Sequence, residues 1–469
     1  MKKLFSLIGL FVVLGASADI VIDNVSVRQL WPWSTDIKVT YTVSGAMSPV
    51  NISVTPYNGD VKLKEAMDFL PYLSGDIYAQ TNGTHSITIA AQAAFGATRS
   101  AYDKFAVELT ATPDTDVLYK IFTIADGSCE DVTRGGLLSG RYGTYETDFA
   151  AVGRAFGVEG FNTSLDDVMI WTGVTNNIDY KTKKIVFRKI PAKGKSFTMG
   201  RCGENNLADN DKNQIPHLVS FTNDFYMAVF EYTTGQAFEL RDTAVGNVKI
   251  TINPQFTNQL TWLYRPLNCG RPQTRRKLQY WPGCSHEEPD QDLYGFVGQM
   301  RQKTEGVLFD LPTEAMWEFA CRAGTTTDWN CGLDNAGNNA TTIQKAVSRC
   351  SYNSQCDYTM LSNLDCNGDE NYATAIVGTY APNAWGLYDM HGNVNELCLD
   401  LYQKDISEFT GDDPVGPTAD SYPTTAVRVR RGGSFYLSQN FNTSAYRASS
   451  GTDQTSSYLG ARLCIIIRD

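Results

Sequence analysis

Between Asp19 and Asp114 the chain alternates apolar and polar positions with period two. The stretches "DIVIDNVSVRQL", "DIKVTYTVSG", "NISVTPYNG", "HSITIAAQA" and "KFAVELTATPD" each place β-branched or aromatic residues at every second position, with turn residues between them. Short strands at this spacing predict a β-sandwich of immunoglobulin-like type over residues 19–114. No cysteine falls in the stretch, so the inter-sheet disulfide of antibody domains is absent. Such a module reads as a spacer or adhesion unit and carries no visible chemistry.

Over residues 115–184 the pattern weakens. "VLYKIFTIADGS" and "YKTKKIVFRKI" read as strands, but the glycine-rich middle, "RGGLLSGRYGTYETDFAAVGRAFG", follows neither the strand nor the helix period, and the segment is read as a connecting insert. Farther on, "LPTEAMWEFACR" predicts a short buried helix. Pro312 suits its entrance, Thr313 can cap free amides, and Glu314 sits at the positive end of the dipole. Met316, Phe319 and Ala320 share one face, with Trp317 and Cys321 packing beside it. The stretch "GLYDMHGNVNELCLDLY", Gly386 to Tyr402, reads as a glycine-containing turn that passes into a helix-like pattern. The fold class expected overall is α+β.

Composition narrows the function. The 469 residues exceed one ordinary core and imply more than one domain. The opening "MKKLFSLIGLFVVLGASA" combines a lysine pair, an apolar run and the small-residue site Ala16-Ser17-Ala18. It predicts a signal peptide over residues 1–18, cleavage near Ala18 and export to the periplasm, cell surface or medium. Its apolar run is shorter than the roughly 20 residues a bilayer span requires, so no membrane span is expected. A formal charge of -11 argues against nucleic acid as partner. Eleven cysteines in an exported chain admit disulfides, with at least one thiol left over, and the pairing is not legible. No CxxC is present, and His85, His217, His286 and His391 are scattered, which favours surface or packing roles over a zinc or iron cluster.

Two stretches offer oxygen donors. Asp389 and Glu396 provide hard carboxylate oxygens, and the turn between them can direct the carbonyls of Gly392 and Val394 toward one calcium ion. The rival reading is a plain turn followed by a helix with Glu396 and Asp400 on its solvated side. In "LDCNGDENY", Asp365, Asn367, Asp369 and Asn371 alternate as donors, but Glu370 and Ile376 replace the glycine and final glutamate of an EF-hand loop. A solvated acidic loop is the alternative there.

Beyond Ile185, "IPAKGKSFTMG", "IPHLVSFTNDFYMAVFEYTTGQ", "FDLPTEAMWEFACRAGTTT", "NAWGLYDMHGNVNE" and "RVRRGGSF" with "LGAR" follow one another in order. Together they resemble the formylglycine-generating enzyme, or sulfatase-modifying factor, family across residues 185–469. The resemblance implies a C-type-lectin-like domain with little regular secondary structure. It also implies structural calcium, one ion at Asp389, Gly392, Val394 and Glu396 and another at Asp369 and Asn371. The family's enzymes oxidise a sulfatase cysteine with two cysteines of their own that bind copper(I). Here the segment Arg431 to Arg462 contains no cysteine: Leu437 stands near the first position, and Gln439 to Phe441 cover the second. Asn395 replaces the tryptophan that follows "GNV", Tyr458 replaces an asparagine, and Ser434 is retained. No copper is expected. Related iron enzymes take their histidines from a helical domain, for which this chain has a β pattern instead.

The residues left around that position, Ser434, Phe435, Tyr436, Asn440, Phe441, Asn442, Tyr446, Asp453 and Tyr458, are of the kinds that binding surfaces favour. They resemble the ligand face of C-type-lectin-like folds and predict a protein or glycan ligand; an ordinary polar surface is the plainer alternative. The competing function is a metal-dependent oxidoreductase with non-standard ligands.

Overall fold

The alternating stretches of the amino-terminal region form strands Val21–Gln29, Ile37–Ser44, Val50–Asn58, Gly83–Ile89 and Phe105–Pro113. The computed structural model describes residues 20–30, 34–96, 102, 104–201, 214–243, 260–267, 296–304, 307–334, 340–354, 374–416, 427–451 and 458–467. It divides into two compact units, 1–118 with 132–143, and 119–131 with 144–469. The predicted signal peptide lies outside the described residues.

In the first unit two antiparallel sheets form. One has four strands in the order Val21–Gln29, Ile37–Ser44, Gly83–Ile89, Leu73–Gly75; the other places Val50–Asn58 between Val61–Lys62 and Phe105–Pro113. Period two explains the core. Val39, Tyr41 and Val43 from one sheet and Val50, Ile52 and Val54 from the other join one cluster, while their neighbours face outward.

A six-stranded sheet, within the second unit except for Val117–Leu118 and Val132–Thr133, runs in the order Phe309–Asp310, Cys464–Ile466, Phe225–Ala228, Lys184–Ile190, Val117–Thr123, Cys129–Thr133. Val117–Thr123 and Lys184–Ile190, the two strand-like ends of the segment read as an insert, pair antiparallel with Val186 opposite Ile121. The segment therefore supplies central strands of this sheet, and its glycine-rich middle contributes the helix Phe149–Ala155.

The helix Glu314–Arg322 forms as its sequence predicts. The Thr313 hydroxyl accepts a hydrogen bond from the Met316 amide at 3.1 Å, and the helix closes on Ala323 in the left-handed conformation, φ 44°. Trp317 and Cys321 both lie in the main core cluster. Residues Asn395–Leu401, in contrast, form a strand and not the helix-like element expected after Gly392. Leu397, Leu399 and Leu401 alternate with Glu396, Cys398 and Asp400, and every residue of the strand is buried. It pairs antiparallel with Val427–Arg431 and parallel with Leu459–Gly460. A short apolar run covered on both faces satisfies its backbone in the sheet, and that tertiary pairing overrides the local pattern.

Replacing Thr313 with Ala leaves the Met316 amide without its side-chain acceptor. The expected loss is about 1 kcal/mol, read as a lower midpoint in chemical denaturation with an unchanged slope.

Candidate functional site

The stretch from Gly386 to Glu396 is fixed by backbone geometry before any side chain acts. Asp389, Gly392 and Asn393 all have positive φ, at 58°, 77° and 56°. Gly392 has no alternative, since a Cβ there would sit 2.1 Å from the Arg349 carbonyl oxygen. This turn places Asp389 and Asn393 in the interior and feeds Glu396 into the buried strand.

Glu396 is held by Arg462. The guanidinium Nε donates to both carboxylate oxygens at 3.0 Å and Nη2 donates to Oε1 at 2.7 Å, while the Trp317 indole donates to Oε2 at 2.6 Å. Arg462 spends its remaining donors on the carbonyls of Ala228, Val229 and Tyr388 at 2.8–3.0 Å. Beside this pair stand two further buried carboxylates. Asp389 Oδ2 accepts from the Gly378 amide at 2.7 Å, but its Oδ1 is buried with no hydrogen-bond partner. Glu231 accepts from the Val394 amide at 3.0 Å and from the Asn393 side chain. Burial pushes Asp389 up to about 6, against the pull of the Gly378 amide, Arg462 and Lys181. Burial, then the charges of Asp389 and Glu396, push Glu231 well above the usual carboxylate range. The local balance is negative, and an unneutralised carboxylate in such surroundings is costly.

The four donors predicted for calcium thus have different situations. Glu396 is engaged by Arg462 and Trp317, whereas the Gly392 bond to the Gly432 carbonyl at 2.6 Å and the Val394 bond to Glu231 are made by their amides, not by the carbonyls predicted as donors. Asp389 alone offers a side-chain oxygen that nothing holds. Glu231 is the residue that sequence reasoning missed; its only signal is a lone acid inside the apolar run "MAVFEYT". No group of three or more His, Cys, Asp or Glu side chains among the described residues could hold a metal, so a cation here needs main-chain carbonyls as well. Asp369 and Asn371 lie outside the described residues.

A second buried ionic cluster ties the helix to the carboxy-terminal strands. Arg447 grips Glu314 through two bonds of 2.6 and 2.7 Å, and Arg431 reaches Glu318, which also accepts from Arg322 at 2.9 Å. Asp400 caps the helix, accepting the Glu314 amide and the Gly416 amide at 2.6 Å each. Burial and the neighbouring Glu314 push its carboxyl up to about 6. His391 is buried as well: Nδ1 donates to the Asn442 carbonyl at 2.6 Å and Nε2 accepts the Asn330 amide at 3.0 Å, the bonding of a neutral ring. Burial pushes its pKa down to about 4. Both ring nitrogens are thus taken up within the interior.

The predicted ligand face needs correction. Ser434, Phe435, Tyr436 and Asn442 are buried, because Phe435 and Tyr436 pack with Leu437 and Tyr458 into a cluster of their own. Asn442 accepts the Ser434 amide at 3.0 Å and occupies the space a Cβ on Gly433 would need. These residues belong to the interior. Of the predicted face, the exposed described positions are Asn440 and Phe441, whose ring meets Tyr446 edge-on at 5.4 Å, with Tyr446 and Tyr458 half-buried. Asp453 lies outside the described residues. Two positions singled out in the sequence touch: the Asn395 amide donates to the Tyr458 carbonyl at 2.7 Å and its side chain to the same oxygen at 3.3 Å.

The sulfatase-modifying factor enzyme 1-like domain matches residues 188–467, more than half of the sequence. The chain belongs to this family. A formylglycine-generating enzyme of Thermomonospora curvata is 34% identical over 154 residues, 31% of this chain and 44% of that one. One from Streptomyces coelicolor is 32% identical over 159 residues, 32% and 45% of the two chains. The serine/threonine-protein kinase pkn1 of Chlamydia pneumoniae is 34% identical over 125 residues, 26% of this chain and 15% of that one. The chain spans less than half the length of the curated relatives it matches. Among solved structures, PvdO from Pseudomonas aeruginosa aligns with a TM-score of 0.44 and 18% identity over 60% of this chain and 94% of its own. Treponema denticola variable protein 1 aligns at 0.41 and 24%, over 60% and 95%.

Asp400 yields a pH test. Its folded-state pKa lies above the unfolded value, so the folded protein takes up the proton first and gains stability relative to the unfolded chain as pH falls through 6 toward 4. The stability difference between the native protein and Asp400→Ala should shift by about 2 kcal/mol in favour of the native protein between pH 7.5 and pH 4. Denaturation at the two pH values measures it, and a constant difference would contradict the assignment.

Proposed function

We propose that this family member is exported and uses its carboxy-terminal face to bind a protein or glycan ligand, without oxidising a cysteine. The observation that carries the reading is the cysteine-free segment from Arg431 to Arg462. Near the first of the family's thiolate positions stands Leu437, which packs against Phe435 and Tyr436; over the second lies Phe441, exposed at 43%. Thiolates suit copper(I), and neither side chain replaces them. Among the described residues, four buried cysteines give little support to a substitute pair. Cys321 and Cys331 are buried, and burial pushes both thiols up to about 12; burial raises Cys350 and Cys398 too. A thiol in that state is a poor soft-metal ligand and a poor nucleophile. The rival reading, an oxidoreductase with other ligands, rests on the names of the curated relatives.

The same reading includes an immunoglobulin-like character for the first unit, supported by its two antiparallel sheets around one core. It also includes a structural calcium ion at the buried turn. The free Oδ1 of Asp389 and the excess of carboxylates fit a hard divalent cation. Asp389 and Glu231 would be its charged donors, with Gly392 and Val394 contributing carbonyls, while Glu396 would stay with Arg462. The ion would supply the positive charge that this interior lacks.

A Cys-x-Pro-x-Arg peptide incubated with the purified mature protein, copper(I) and oxygen is expected to remain unconverted by mass spectrometry beside a working control enzyme. Formylglycine in that peptide would overturn the non-catalytic reading. For calcium, chelation is expected to lower the melting temperature of the native protein and to leave Asp389→Asn unaffected. Identical melting curves with and without chelator would sink the calcium site. Glu396→Ala is expected to destabilise under both conditions by about 3–5 kcal/mol, since it strands a buried guanidinium.

A further inference from the structure

The strand Val427–Arg431 ends in two arginines with opposite fates. Arg431, opposite Glu396 and Arg447, is fully buried and meets Glu318. Arg430 stands opposite Leu397 and Ala448, so it occupies the other face of the sheet. Tyr446, two residues before Ala448, falls on that same face beside it. The Arg430 guanidinium lies over the Tyr458 ring, 5.3 Å from its centroid, and the Tyr458 ring is 4.8 Å from that of Tyr436. Tyr436 is also hydrogen-bonded to the Tyr458 phenol.

The charge at this place is unbalanced. No carboxylate among the described residues pairs with Arg430, and its Nε is buried without a hydrogen-bond partner. Arg447 and Arg462, by contrast, each hold a glutamate through two or more bonds. Burial keeps the Tyr436 and Tyr446 phenols protonated, because it raises both against the opposing charge of Arg430. The cluster therefore presents a half-buried cation among neutral phenols, next to the exposed ring of Phe441. A planar guanidinium with free donors matches an oxyanion, and adjacent aromatic rings match the C–H face of a pyranose.

We propose that the ligand of this face is an acidic saccharide, one whose carboxylate or sulfate meets Arg430 while a sugar ring lies against Phe441 and Tyr446. The inference rests on the binding reading given above and narrows it to a chemical class. An acidic peptide offers the same charge but no sugar face for the exposed ring.

Calorimetry on the purified mature protein tests it with four probes: a disaccharide containing glucuronic acid, its sulfated form, the neutral counterpart, and a peptide of matching negative charge. At least one acidic disaccharide is expected to bind tenfold or more tightly than the neutral one. Arg430→Gln should remove that preference in a protein that still unfolds cooperatively, and Arg430→Lys should retain part of it. Phe441→Ala should weaken every saccharide. Acidic and neutral sugars bound equally, with Phe441→Ala still weakening both, would overturn the acid preference and leave the binding face standing. Binding of the peptide alone would overturn the saccharide. Saccharide binding indifferent to both Arg430→Gln and Phe441→Ala would overturn the inference together with the face on which it rests.

Discussion

The second unit depends on the buried pair between Arg462 and Glu396. A guanidinium has five donors in a fixed plane, and here they are spent on the carboxylate and on three carbonyls from two separate segments, Ala228–Val229 and Tyr388. One side chain near the carboxy terminus thereby ties together the strand Phe225–Ala228, the Asp389 turn and the strand Asn395–Leu401. Trp317 adds the helix to the same carboxylate. In a domain where loops connect short strands, a few fully satisfied polar nodes can define the interior that longer elements would otherwise define. The Glu314–Arg447 and Glu318–Arg431 contacts repeat the device around the helix.

This explains what was legible in the sequence. Elements that depend on local pattern were readable: the alternating strands of the first unit, and the helix at Glu314 with its proline, threonine cap and apolar face. The family, too, was readable, from short motifs in a fixed order. What could not be read depends on pairing between distant segments. Asn395–Leu401 is a strand because it is sheathed on both sides, and its own residues do not state this. Glu231 enters the Asp389 site from more than 150 residues away, through bonds to Asn393 and Val394. Ser434, Phe435, Tyr436 and Asn442 have the composition of a contact surface, yet aromatic side chains that pack on one another serve equally well in an interior.

The residues around Tyr458 are also spatially ordered. Asn395 and Tyr458 meet through two hydrogen bonds to one carbonyl, and the Tyr458 ring extends from that contact to Tyr436 and Arg430. Asn395, Tyr458, Tyr436 and Arg430 thus form one connected patch beside the buried ionic interior.

The division of the chain between the two units has a consequence for synthesis. The path changes unit after Leu118, after Asp131 and after Gly143. The first unit therefore lacks part of its chain until Gly143 has emerged. By then the strand Val117–Thr123, which is to become central in the other sheet, has been made ahead of its partner Lys184–Ile190. Until that partner follows, the strand has only its other neighbour, Cys129–Thr133, to pair with. Maturation is consequently not a simple succession of one finished module and then the next, and no single cut in the chain would release two intact halves.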